Sequence, residues 1–296
     1  MLESVCVPRL ANTVTEFTGL DSPNRCLDRA HWHSWPDHID YRYNSRGFRD
    51  QEWPDNLITA VWCVGDSFTS GLGSAWPNTW PQVLQRQLGQ RTVTVSQDGA
   101  SNNWIADQCC AIARAVRPRV MVVMWSYLHR RPGVDQQPLL YSGTTMQQDY
   151  ENLLQCQQQV RDCCVDTQLV EFVIPNWQPV LSQTAWQQIR DPLWPNSVNN
   201  LGLGEHTILA ELHQTHGYDP VKLRRQIQLL AQYPILNSVL EVPQLDRARD
   251  GHHFDCVTAQ WVADRVCDSL RQRPSPNDVG IQSELDLAAD LGPQGQ

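Results

Sequence analysis

Lysine, basic runs and long apolar segments are scarce in this chain of 296 residues. Lys222 is the single lysine, and the formal net charge is −9. Nucleic-acid binding relies on clustered Lys and Arg side chains that contact phosphates, so the composition argues against such a partner. No segment approaches the ~20 apolar residues that span a bilayer, and the N-terminus lacks the basic and apolar regions of a secretion signal. We therefore expect a soluble, cytoplasmic protein.

Metal-binding cysteine motifs are also missing, although the chain has ten cysteines. There is no Cys-x-x-Cys pair, and the adjacent pairs Cys109-Cys110 and Cys163-Cys164 lie in segments with a helical pattern. This distribution is typical of small core residues in a reducing compartment.

Three histidines near the N-terminus, His31, His33 and His38, lie close in sequence to Asp28 and Asp37. Imidazole nitrogens can bind a transition metal. No motif fixes four such ligands on a helix or hairpin, so a solvated or packing loop is the favoured interpretation. A metal enzyme built on these histidines is the least favoured hypothesis.

Apolar segments of strand length alternate with helical patterns along the middle of the chain. The predicted strands are Ile58–Val64, Thr92–Ser96, Val120–Trp125, Leu169–Ile174 and a fifth near residues 238–242. Strands that alternate with helices at this spacing predict right-handed crossovers and a parallel sheet. We therefore expect the α/β fold class, with a three-layer α/β/α sandwich.

Composition divides the chain into three parts. Residues 1–57, rich in prolines and aromatics, predict a loop-rich extension that packs on the core. We expect residues 58–272 to form the α/β domain. Within it, the segment 176–237 is too long for an ordinary connection, so we expect an insertion that roofs the site or forms a partner surface. Residues 273–296 are polar, with prolines and glycines, and predict a disordered tail.

The first predicted strand ends at Gly65-Asp66-Ser67. Ligands of open α/β sheets bind at the carboxyl ends of the strands, so Ser67 is a candidate nucleophile. Glycine at position 65 permits the tight reversal into the helical pattern that follows.

A nucleophilic serine needs a base and a group that orients the base. Asp250 and His253 are three residues apart on a loop that enters the last helix. The carboxylate can reach Nδ1 of the ring while Nε2 accepts the proton of Ser67. His252 with Asp255 has the same separation in reverse order and is the reserve pair.

Charge that develops on a substrate oxygen needs N–H donors. The backbone N–H groups of Ser67 and Gly99 are available if their turns lie at adjacent strand ends. Glycine at position 99 allows close approach of the backbone to a ligand.

These residues together resemble the GDSL-type or SGNH hydrolases. The resemblance rests on Gly65-Asp66-Ser67-Phe68-Thr69-Ser70-Gly71, on Gly99 after the second strand, and on Asp250 and His253 before the last helix. Asn44-Ser45-Arg46-Gly47-Phe48-Arg49 is similar to the NSxGFR segment that precedes the serine block in many of these proteins. The resemblance covers about residues 43 to 270.

The resemblance implies a flavodoxin-like, five-stranded parallel sheet of order 2-1-3-4-5. It implies hydrolysis or transfer of ester-linked acyl groups without a metal or organic cofactor. Ser67 would be the nucleophile, Asp250 the orienting acid and His253 the base, and the N–H groups of Ser67 and Gly99 would be oxyanion donors. Asp66 would brace the turn.

One block departs from the family pattern. The strand that should end in GxND, whose Asn is the third oxyanion donor, ends here in Met124-Trp125-Ser126-Tyr127. Ser126 occupies the position of the Asn, and Asn102 and Asn103 are alternative donors. Arg130 is a possible contact for an anionic substrate group, although a solvent-facing arginine is the favoured interpretation.

Two functional hypotheses follow. The first is a serine esterase or acyltransferase that acts on a small-molecule or glycan acyl ester. The alternative is a protein of the same fold with little or no activity, acting as a carbohydrate-binding or assembly module. The sequence leaves the acyl group, the acceptor and the oligomeric state open.

Overall fold

The computed structural model describes residues 2–26, 28–127, 130–132, 138–139, 146–174 and 240–272. The predicted insertion at 176–237 and the predicted tail at 273–296 lie outside the described residues. Within the described residues, no helix combines the length and the hydropathy of a transmembrane span.

Short elements make up the N-terminal extension, a name used here for residues 1–57. Two 3-10 helices, Leu2–Ser4 and Pro8–Leu10, precede strand β1 (Val14–Thr15), helix α1 (Arg29–Ser34) and strand β2 (Tyr41–Arg42). Strands β1 and β2 pair antiparallel.

Alternating strands and helices form the rest of the described chain. The strands are β3 (Val61–Gly65), β4 (Thr92–Ser96), β5 (Val120–Trp125), β6 (Arg131–Pro132), β7 (Pro138–Leu139), β8 (Gln168–Val173) and β9 (Leu240–Glu241). The helices are α2 (Ser67–Ser70), a 3-10 helix (Trp76–Asn78), α3 (Trp80–Leu88), α4 (Asn102–Val116), α5 (Met146–Cys163) and α6 (Cys256–Gln272).

The main sheet has the order β4-β3-β5-β8-β9, and every neighbouring pair in it is parallel. The mixed α/β architecture with a parallel sheet, predicted from the sequence, is therefore confirmed. Strand β9, Leu240–Glu241, lies within the predicted strand near 238–242, and residues 238 and 239 lie outside the described residues. Strands β6 and β7 form a separate antiparallel pair.

Two apolar clusters cover the two faces of the sheet. Because successive strand residues point to opposite faces, Trp62 and Val64 of β3 join one cluster, and Val61 and Cys63 join the other. Helix α4 packs against α5, and α3 packs against α6. The residues of β3 are all buried, which explains their continuous apolar run.

The segment that resembles NSxGFR is a tight turn fixed by Asn44. The side-chain Oδ1 of Asn44 accepts hydrogen bonds from the N–H groups of Arg46 (3.0 Å) and Phe48 (3.1 Å). Gly47 has a φ of +81°, and a Cβ there would lie 2.0 Å from the carbonyl oxygen of Val7. Only glycine fits this position without moving the backbone.

Arg49, which ends this segment, contacts the turn that follows Ser67. Its guanidinium donates to the carbonyl oxygens of Ser70 (3.1 Å), Gly71 (2.5 Å) and Ser74 (2.9 Å). It also lies 4.2 Å above the ring of Tyr41, and the residue is only 2% exposed. One buried cation therefore satisfies three buried carbonyl groups of this turn.

Replacement of Arg49 by Met should lower the free energy of unfolding by about 3 kcal/mol, because buried carbonyls lose their donor. Urea unfolding with an unchanged m-value measures this loss. Arg42→Met is the matched control, since the Arg42 side chain is 74% exposed and should cost almost nothing. Equal midpoints for Arg49→Met and the wild type would contradict this role.

Candidate active site

Ser67 begins helix α2 directly after strand β3. The side chain of Asp66 caps this helix by accepting from the N–H of Phe68 at 3.0 Å, and Gly71 ends the helix with a φ of +70°. As the first helical residue, Ser67 has a backbone N–H that no intrahelical carbonyl can accept. The residue is fully buried.

His253 and Asp250 lie beside Ser67. Nε2 of His253 is 2.8 Å from Oγ of Ser67, and Nδ1 is 2.6 Å from Oδ2 of Asp250. The other oxygen of Asp250 accepts the backbone N–H groups of His252 (2.9 Å) and His253 (3.0 Å). With Nδ1 as donor to the carboxylate, Nε2 is left to accept the hydroxyl proton of Ser67.

Charge and burial shift the pKa values of Asp250 and His253 in opposite directions. Burial favours the neutral form of Asp250, but the charge and hydrogen bond of His253 outweigh it and hold the pKa of Asp250 at about 2. Burial also tends to lower the pKa of His253, but the charge and hydrogen bond of Asp250 raise it above 6.5. The imidazolium form of His253 is thus stabilised where it would arise during proton transfer.

Arg249 ties the loop of Asp250 and His253 to the N-terminal extension. Its guanidinium donates to both oxygens of Asp21, at 2.8 and 2.5 Å, and lies 4.3 Å from the ring of Trp32. Two further contacts come from the extension. Sγ of Cys26 is 3.0 Å from the carbonyl oxygen of Asp250, and Nε2 of His31 is 2.8 Å from that of Ala248.

The same network reaches the turn after Ser67. The hydroxyl of Tyr41 donates to Asp21 and accepts the N–H of Gly73 at 2.8 Å. The N–H of Arg249 donates to the carbonyl oxygen of Gly73 at 3.0 Å. Sequence reasoning missed Asp21, Tyr41 and Arg249 in this network, because such pairs follow no local periodicity.

The histidine of the reserve pair, His252, lies beside Tyr127. The ring in contact with Ser67 belongs to His253, whereas Nε2 of His252, from the reserve pair, is 3.4 Å from the hydroxyl of Tyr127.

Within the described part of the chain, one group of side chains could hold a metal ion: Asp246, Asp255 and Cys256. His31, His33 and His38 do not belong to it, so the geometry gives no support to a metal site on them. All ten cysteines are free thiols.

Ser126 and Arg130 both contact Asp66. The Ser126 hydroxyl donates to Oδ2 of Asp66 at 2.6 Å, and Nη1 of Arg130 is 3.0 Å from the same oxygen and 3.0 Å from Oγ of Ser126. The favoured interpretation of Arg130 as solvent-facing was wrong, because it is 7% exposed and paired with a buried carboxylate. The carboxylate draws this side chain inward.

The two candidate asparagines occupy different places. Oδ1 of Asn102 accepts the N–H of Ser126 at 2.8 Å, and its Nδ2 is 3.3 Å from the carbonyl oxygen of Ser126. Asn103 instead pairs with Asn152 of α5 through two amide hydrogen bonds of 3.0 and 3.1 Å. The alternative of Asn103 as an oxyanion donor is therefore not supported, because its amide joins α4 to α5.

Gly99 is buried in the turn after β4 with a φ of +72°.

Replacement of Asp250 by Asn should lower the pKa of His253, because burial then acts without the opposing charge. The titration of the His253 ring followed by NMR measures this shift. Asp40→Asn, which alters the exposed partner of His38, is the control and should leave it unchanged.

The raised pKa also sets a pH dependence of stability. The His253–Asp250 contribution is fully present from about pH 4 to about pH 6.5; it is lost as the pH rises through the higher folded-state pKa of His253, and as the pH falls towards the pKa of Asp250 of about 2. A wild-type His253 that titrates below 6.5 would contradict this electrostatic account.

No protein-family model matches the chain, and no curated protein matches it. Several solved structures, however, are similar to this chain. A protein assigned to the G-D-S-L family of lipolytic proteins, from Desulfitobacterium hafniense DCB-2, is 12% identical over 70% of this chain and 98% of its own, with a TM-score of 0.35. A family two carbohydrate esterase from Clostridium thermocellum is 16% identical over 78% and 67%, with a TM-score of 0.38.

The periplasmic domain of a lipopolysaccharide acetyltransferase from Salmonella ser. Paratyphi A is 10% identical over 74% of this chain and 85% of its own, with a TM-score of 0.37. A lipase/acylhydrolase from Enterococcus faecalis is 9% identical over 74% and 99%, with a TM-score of 0.38. The solved structures to which this chain is similar thus include GDSL-type lipolytic proteins, acylhydrolases and esterases.

Proposed function

We propose that this protein is a serine hydrolase or acyltransferase that acts on an ester-linked acyl group of a small molecule or glycan. The observation that carries the proposal is the buried series Ser67–His253–Asp250, with contacts of 2.8 and 2.6 Å. A nucleophile in contact with a base, which is itself oriented by a carboxylate, is the arrangement that acyl transfer requires.

In the proposed reaction, Oγ of Ser67 attacks the acyl carbon while Nε2 of His253 takes the hydroxyl proton. Asp250 stays ionised and stabilises the imidazolium. Collapse of the tetrahedral intermediate breaks the ester bond, and His253 returns the proton to the departing alcohol. Water or a second alcohol, activated by His253, then attacks the acyl-enzyme and releases Ser67.

The backbone N–H groups of Ser67 and Gly99 are the proposed oxyanion donors. That of Ser67 lies at a helix N-terminus, where the dipole favours negative charge. The Ser126 hydroxyl is a weak candidate for the third donor, because its proton is bound by Asp66. We assign to Asp66, Ser126 and Arg130 the task of holding the Ser67 turn against the end of β5.

Ser67→Ala and His253→Ala should each lower kcat for 4-nitrophenyl acetate by about 10⁴-fold or more, as for other residues that act as one unit. Initial rates of purified, folded protein measure this loss. Ser34→Ala, at an exposed position, is the control and should keep wild-type activity. Wild-type turnover by either active-site variant would remove the mechanism.

Ser126→Ala should lower kcat less than about tenfold, whereas loss of a true oxyanion donor costs about 10²-fold or more. Arg130→Met should have the larger effect, because it leaves the buried carboxylate of Asp66 without its cation. Measurement of kcat for both variants shows which substitution lowers it more. A loss of 10²-fold in Ser126→Ala, with Arg130→Met near wild type, would reverse this assignment.

A second candidate function is a binding or assembly module with little activity. Two observations favour it: Ser67 is fully buried, and Ser126 stands in place of the expected Asn. Saturable glycan binding by a protein that does not turn over aryl acetates would support this candidate over the enzyme.

A further inference from the structure

A cavity of about 310 Å³ lies between the N-terminal extension and the carboxyl end of the sheet. The extension contributes Arg9, Arg25 and Tyr43 to its wall, and the sheet side contributes Ser70, Ser96 and Asp98. Ser70 is the last residue of the helix that Ser67 begins, and Asp98 immediately precedes Gly99. The cavity is thus bordered by the two segments that carry the proposed nucleophile and oxyanion donor.

Two polar groups on this wall have no partner within the described residues. Oγ of Ser96 is buried without a hydrogen bond, in a residue that is 3% exposed. The carboxylate of Asp98 has neither a hydrogen bond nor an ion pair in the described part of the chain, and its Oδ2 would be 2.4 Å from a Cβ at Gly19. Buried polar groups are normally satisfied, so this wall is suited to a polar ligand.

The electrostatics of Asp98 agree with that geometry. Burial raises the pKa of Asp98, and the positive charges of His253 and Arg130 oppose the rise. An unpaired, partly desolvated carboxylate lowers stability and persists in proteins mainly where function needs it.

We propose that this cavity binds the polyhydroxylated alcohol part of the ester substrate, with Asp98 and Ser96 hydrogen-bonding to sugar hydroxyls. The proposal rests on the ester chemistry proposed above. A carboxylate can accept hydrogen bonds from two hydroxyl groups, whereas an alkyl chain would leave both polar groups unsatisfied. The cavity is also within the size range of small-molecule sites.

The test compares two kinds of substrate with the 296-residue chain. One is a panel of mono-O-acetylated methyl glycosides of glucose, galactose and xylose, and the other is 4-nitrophenyl acetate. In Asp98→Ala and in Ser96→Ala, the ratio of kcat/KM for the best glycoside over the aryl ester should fall about tenfold, the effect of one lost hydrogen bond. Asp55→Ala removes an exposed carboxylate and should keep the ratio.

Thermal unfolding separates a binding role from a structural one. Asp98→Ala should melt at or above the wild-type temperature at pH 8, since it removes an unpaired carboxylate. A variant that is folded and keeps the wild-type ratio, or a wild type that hydrolyses the aryl ester but no acetylated glycoside, would overturn the proposal.

Failure of the ester chemistry itself is distinguishable. If the wild type hydrolyses neither substrate, the proposed function is wrong, and titration calorimetry with the three methyl glycosides then decides the cavity's role. Binding of at least one that is lost in Asp98→Ala supports the polyol site, and absence of binding of all three to the wild type overturns it.

Discussion

The ion pair between Arg249 and Asp21 is the interaction on which the site depends most. Both side chains are almost completely buried, 6% and 0% exposed, and their contacts join the N-terminal extension to the loop of Asp250 and His253. Removal of one partner from a buried pair strands the other charge, which typically costs about 3–5 kcal/mol. The position of His253 beside Ser67 is therefore held from outside the parallel sheet.

A second buried charge, Asp66, fixes the other half of the site. It caps the helix that Ser67 begins, and it accepts from both Ser126 and Arg130. The nucleophile turn is thus bound to the end of β5 by charge-assisted hydrogen bonds. Ser126, which stands where the sequence resemblance led us to expect an Asn, donates its hydroxyl to Asp66 and so braces that carboxylate.

Local pattern was enough for some features and insufficient for others. The run Val120–Trp125 predicts a central strand, because only a strand covered on both faces is apolar throughout. Ser67, Asp250 and His253 could be grouped since parallel strands end at one edge. The burial of Arg130 and the pairing of Arg249 with Asp21 could not be predicted, because the acceptors lie far away in sequence and arginines are usually exposed. The hydrogen bonds between Asn103 and Asn152 could not be predicted either, because these residues are also far apart in sequence.

In the proposed mechanism, His253, held by Asp250, activates Ser67 as a nucleophile. The most direct measurement is labelling of the folded protein with a fluorophosphonate at several pH values, with the adduct located by peptide mass spectrometry. We expect a single covalent adduct on Ser67 whose rate of formation rises as the pH increases through the raised pKa of His253. No adduct on Ser67 across that range, in protein that is folded, would contradict this mechanism.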